Sequence, residues 1–130
     1  MSEQPILQSG EARVISLAEE TKFAPNGIVS RTLFRSDRGR VVLFAFAAGQ
    51  ELSEHTTTSH ALVQILTGRS EWTLGPTART LTAGELLYMP PNLAHSVRAI
   101  EPFSMLLTLL PTAPARLDPV VPRSSSEEPV

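Results

Sequence analysis

The chain has 130 residues, 42% of them hydrophobic, and thirteen acidic side chains against eleven basic give it a formal net charge of −2. That length suits one domain with its own core, and charges scattered without a basic stripe disfavour nucleic acid, since nothing is arrayed to release counterions from phosphates. The absence of cysteine excludes a disulfide framework, a thiolate metal site and a cysteine nucleophile.

Along the chain, residues 1–13 read as an N-terminal arm, whose first five residues carry no positive charge ahead of an apolar stretch. No run approaches the roughly 18 apolar residues of a membrane helix, so a cytoplasmic protein with no membrane partner is expected. Val14–Glu20 reads as a short strand and then one helical turn, with Ser16 as N-cap and Glu19 at the third helical position. From Ile28 onward, short runs rich in Val, Ile, Leu, Phe and Thr are punctuated by turn residues at intervals of about ten, the pattern of an antiparallel sandwich or barrel. Strands are predicted over Ile28–Phe34, Arg40–Ala48, Ala61–Thr67, Arg69–Leu74, Arg79–Leu81, Leu86–Met89, His95–Ile100 and Phe103–Leu110. Between them lie a hairpin turn at Ser36–Gly39, a sharp turn at Gly68 and corners holding Pro76, Pro90, Pro91 and Pro102, which cannot donate to a strand ladder. The ordered domain thus spans 14–110. Residues 111–130, with five prolines and three consecutive serines, are expected to form a mobile tail.

Two segments carry a family resemblance. Gly49-Gln50-Glu51-Leu52-Ser53-Glu54-His55-Thr56-Thr57, continued by His60-Ala61 and ending at Gly68, resembles the first cupin motif, G-x5-H-x-H-x3-E-x6-G. Thr57 stands where the second histidine belongs and Ala61 where the glutamate belongs. Gly84, Pro90 and His95 resemble the second motif, G-x5-P-x-G-x2-H-x3-N, with Asn92 and Ala99 at its glycine and asparagine positions. The resemblance implies an all-β fold, an antiparallel double-stranded β-helix or jelly-roll barrel, with the two motifs converging on a divalent metal (Fe, Mn, Ni, Cu or Zn), any of which imidazole can bind.

All three histidines of the chain, His55, His60 and His95, fall within these segments and are the candidate metal ligands. Carried over position by position, only His55 and His95 occupy ligand positions, and their rings are expected close enough to share one ion, within about 7 Å. In the family register Ala61, Val63 and Ile65 point into the barrel, leaving Leu62, Gln64 and Leu66 outward and His60 at the rim. A bulge in Thr56–Ser59 would reverse this and bring His60 and Gln64 inside together. Gln64, Trp72 and Met105 are the candidate ligand contacts: Gln64 needs a polar partner if buried, Met105, like Met89, lies in a strand that lines the pocket in cupins although methionine more often fills a core gap, and Trp72 reads first as core or interface packing with its polar tip satisfied.

These features point to a small cupin-type barrel that binds a transition metal, a small organic ligand, or both, through its motif histidines. A metal-dependent oxygenase or isomerase and a metal-free binding or sensing module are the rival readings, and whether the chain is an enzyme stays open. Because Arg40–Ala48 and Phe103–Leu110 are apolar on both faces, a homodimer is expected.

Overall fold

The structure is a computed structural model and describes residues 4–112. From residue 113 on, the expected tail lies outside the described residues. The described residues form nine strands: β1 Ile28–Ser36, β2 Gly39–Phe46, β3 Glu51–His55, β4 His60–Thr67, β5 Arg69–Leu74, β6 Thr77–Thr82, β7 Leu86–Met89, β8 His95–Ala99 and β9 Phe103–Leu110. One short helix, α1 (Leu17–Glu20), precedes them; the Ser16 side chain accepts from the Glu19 amide, as the capping pattern predicts. Val14 and Ile15 form no strand. The strand missing from the sequence reading is β3, whose five residues include a single aliphatic side chain, Leu52.

All strand pairs are antiparallel. They form a five-stranded sheet in the order β1-β2-β9-β4-β7 and a four-stranded sheet in the order β3-β8-β5-β6. The non-sequential neighbours are those of a double-stranded β-helix, in which the chain passes from one sheet to the other. Residues directly opposite in a pair share a face, so the registers divide the barrel interior into layers. In the larger sheet, Arg40, Leu109, Ala61 and Met89 form the outermost layer. Below them come Val42, Leu107, Val63 and Leu87, then Phe44, Met105 and Ile65, and finally Phe46 with Phe103. The smaller sheet answers with His55, His95 and Leu74, then Leu52, Val97 and Trp72, then Ala99, Ser70 and Leu81. The interior therefore grades from a polar mouth to an apolar floor, where the Phe46 and Phe103 rings stack at 4.6 Å between centroids.

At the β4–β5 junction Gly68 has a φ of +79°, and a Cβ there would meet the Pro102 carbonyl oxygen at 2.1 Å. Glycine is the residue that turns here while the β8–β9 connection packs against it.

Candidate ligand-binding site

The open end of the barrel holds a cavity of about 360 Å³. Its walls are the upper inward layers of both sheets: Ala61, Val63, Met105 and Leu107 on one side, Trp72 and Val97 on the other, with His55, His95, Arg40, Thr56 and Thr57 toward the mouth. Such a volume is at the small end of ligand pockets, and a mostly apolar wall with a few convergent polar groups is their usual composition.

His55 reaches this cavity because of a bulge. Leu52 pairs with Val97 and His55 pairs with His95, so three steps along β3 match two along β8. Strict alternation would place Leu52 and His55 on opposite faces; the extra residue turns both inward. The two rings then approach to 4.3 Å between centroids at an interplanar angle of 59°. This meets the expected convergence. His95 is buried, 6% exposed, whereas His55 is on the solvent side.

Both rings are fixed in the same way. The Nδ1 of His55 lies 2.8 Å from the Ser53 carbonyl oxygen and that of His95 lies 2.9 Å from the Leu93 carbonyl oxygen. A carbonyl only accepts, so each Nδ1 carries a proton and donates it. In the neutral ring the lone pair then resides on Nε2. The site thus offers two nitrogen acceptors, and the contacts that fix their tautomers come from residues two positions earlier in each strand or its approach.

The other candidate residues separate. Trp72, 2% exposed, lines the cavity while its Nε1 donates to the Ser70 hydroxyl at 2.9 Å. Its polar edge is satisfied in the wall and its ring borders the cavity. Met105 also lines it. His60 and Gln64 do not join them: β4 runs in unbroken register against β9 from His60–Leu110 to Ile65–Met105, so alternation sends Ala61, Val63 and Ile65 inward and His60 and Gln64 outward. The inverted arrangement is not adopted, because the bulge falls within Leu52–His55 rather than in Thr56–Ser59. Gln64 is exposed, and the Nδ1 of His60 hydrogen-bonds the Tyr88 hydroxyl at 2.8 Å on the outer face of the larger sheet. Met89, which like Met105 lies in a strand that lines the pocket in cupins, also borders the cavity, and Arg40 is a cavity residue not anticipated from the sequence. For Arg40 the signal was available: it has the inward parity of Val42, Phe44 and Phe46, an unusual place for a cation.

The donor set decides how well a metal fits. Cupins commonly hold a divalent ion with three or four protein ligands, whereas here two imidazoles converge and the other two inherited positions carry Thr57 and Ala61. A methyl group cannot coordinate, and the Thr57 hydroxyl accepts from the Ser59 amide at 3.2 Å. Among the described residues no group of three or more His, Cys, Asp or Glu side chains is placed to hold an ion. These residues do not fit a divalent metal held by protein ligands alone.

Comparison with known proteins places this geometry in context. A structure of a conserved protein of unknown function from Streptococcus pyogenes is 27% identical and superposes with a TM-score of 0.75 over 88% of this chain and 100% of its own. A cupin superfamily protein from Desulfitobacterium hafniense matches at 27% identity and a TM-score of 0.74, covering 86% of this chain and 100% of its own. An RmlC-like cupin from Desulfovibrio desulfuricans matches at 27% identity and 0.70, over 78% and 98% of the two chains. No curated protein matches. The family model for the cupin domain matches residues 42–109, just over half of the sequence, running from β2 through both histidine segments to the end of β9. With that match, the nine-stranded antiparallel barrel and the paired motif histidines at its mouth, the chain belongs to the cupin family.

Proposed function

We propose that the protein is a binding module that takes a small organic molecule into the mouth of its barrel, without a resident metal. The single observation that carries this reading is the pair of imidazoles, His55 and His95, each fixed through Nδ1 against a backbone carbonyl and leaving Nε2 free, at the polar end of an otherwise apolar cavity of about 360 Å³. Two fixed acceptors orient a ligand that carries hydroxyl or amino donors. The walls formed by Trp72, Met105 and Val97 bury its apolar part, at roughly 25 cal/mol per Å² removed from water. The incomplete donor set at Thr57 and Ala61 separates this reading from a metal-dependent oxygenase or isomerase, which needs an ion held firmly enough to leave one position open to substrate.

Elemental analysis of protein purified without a polyhistidine tag tests the choice. We expect well below one equivalent of Mn, Fe, Ni, Cu or Zn per chain. One equivalent that is lost in both His55→Ala and His95→Ala would overturn the metal-free reading in favour of the metal-dependent one. Ligand binding itself is followed by the fluorescence of Trp72, the chain's one tryptophan, which borders the cavity.

A further inference from the structure

We infer that the mouth of the barrel recognises a carboxylate, held between Arg35 and Arg40, so that the ligand of the cavity is a small organic acid; this rests on the cavity being a binding site. Arg35 and Arg40 are direct cross-strand partners on β1 and β2. Directly opposed residues have Cβ atoms roughly 4.5–5.5 Å apart, and like charges so placed repel. A bulge creates the pair. Thr32 pairs with Val42 and Arg35 with Arg40, three steps against two, which turns Arg35 to the same face as Arg40 instead of the opposite one. Two bulges thus re-aim side chains toward this end of the barrel, one for His55 and one for Arg35.

Both guanidiniums are exposed, and neither has an acidic partner among the described residues, whose ion pairs go instead to Arg31, Arg69 and Arg98. They line a groove with Asp37, Thr57 and Ser59. The groove is continuous with the barrel cavity, since Arg40, Thr57 and Leu109 border both. Among the described residues, one carboxylate, Asp37, against two guanidiniums leaves one positive charge to be matched by a monoanion. The Thr57 oxygen already accepts from the Ser59 amide, which leaves its hydroxyl proton to donate. A carboxylate seated there accepts charge-assisted bonds from the arginines, relieves their mutual repulsion and points its apolar body past Leu109 toward Leu107, Met105 and Trp72.

The test is a fluorescence titration of the full chain with matched pairs of acids and their primary amides: propionate and propionamide, benzoate and benzamide, phenylacetate and phenylacetamide. Each acid is expected to bind about tenfold to a hundredfold more tightly than its amide at low salt, the advantage shrinking as salt is raised. Arg40→Gln is expected to abolish the preference and Arg35→Gln to reduce it, each weakening the acid more than its amide. Equal affinity for acids and amides, or a preference that survives Arg40→Gln, overturns the carboxylate assignment while leaving the cavity a binding site. Tighter binding of phenyl phosphate than of benzoate replaces a carboxylate with a phosphate and also overturns it. No response to any of these compounds removes the binding-module reading together with this one.

Discussion

Gly68→Ala separates two costs that a motif glycine avoids. Its φ of +79° lies in the left-handed region, where an L side chain costs about 1–2 kcal/mol. In addition, the new Cβ would lie 2.1 Å from the Pro102 carbonyl oxygen and 2.7 Å from both the Cα and Cβ of Phe103. These neighbours are backbone atoms and the root of a fully buried side chain, so none can swing aside. Forcing such an overlap costs a further 1–3 kcal/mol or so, and the sum is about 2–5 kcal/mol. Gly84→Ala is the control. Its φ is +92° and nothing lies within 4 Å of the added Cβ, so only the conformational cost of about 1–2 kcal/mol applies. Urea unfolding followed by Trp72 fluorescence measures both. With a slope of about 1.5 kcal/mol per molar urea, a 2 kcal/mol difference separates the midpoints by more than 1 M. If Gly68→Ala is no more destabilising than Gly84→Ala, the close packing of the β8–β9 connection against this turn does not control the substitution.

Thr57→His combined with Ala61→Glu restores the two motif ligands at cavity-lining positions, and metal content by elemental analysis should rise to near one equivalent; no gain would contradict the reading that the donor set is incomplete. His60→Ala should leave ligand titrations unchanged, because the ring lies on the outer face against Tyr88, and a tenfold loss of affinity would place it in the site after all. Trp72→Phe takes the Nε1 donor from the fully buried Ser70 hydroxyl and should lower stability by about 1–3 kcal/mol in a circular dichroism melt, an unchanged midpoint arguing against that bond's contribution. Light scattering should give twice the chain mass, a second copy covering the outer face on which Leu86 is 67% and Tyr88 49% exposed. Leu86→Glu should yield monomer, and a wild-type monomer at micromolar concentration would refute the dimer.

Fold class and most strand positions are legible in the amino-acid order, because apolar alternation and punctuation by Gly and Pro are local signals. It also identified Gly49, His55, Gly84 and His95 as motif positions and Ala61 and Val63 as inward-facing. Ser16 and Glu19 announced the helical turn through the chemistry of one exposed amide. Strand β3 was illegible because one aliphatic residue among five gives no alternation to read. What the tertiary structure alone decided is which side chains meet. Whether His55 and Arg35 face inward depends on one extra residue in each of two strand pairs, and a bulge is a property of the pairing rather than of either strand. The same holds for His60: its distance from Ala61 is fixed by the chain, but its exclusion from the cavity follows from the unbroken register of β4 against β9. Arg35 and Arg40 are separated in sequence by the β1–β2 turn and look like ordinary surface charges there; only the closed ladder makes them opposed neighbours at the mouth of the cavity. Local composition sets what a segment becomes, and the register between segments sets what their side chains do.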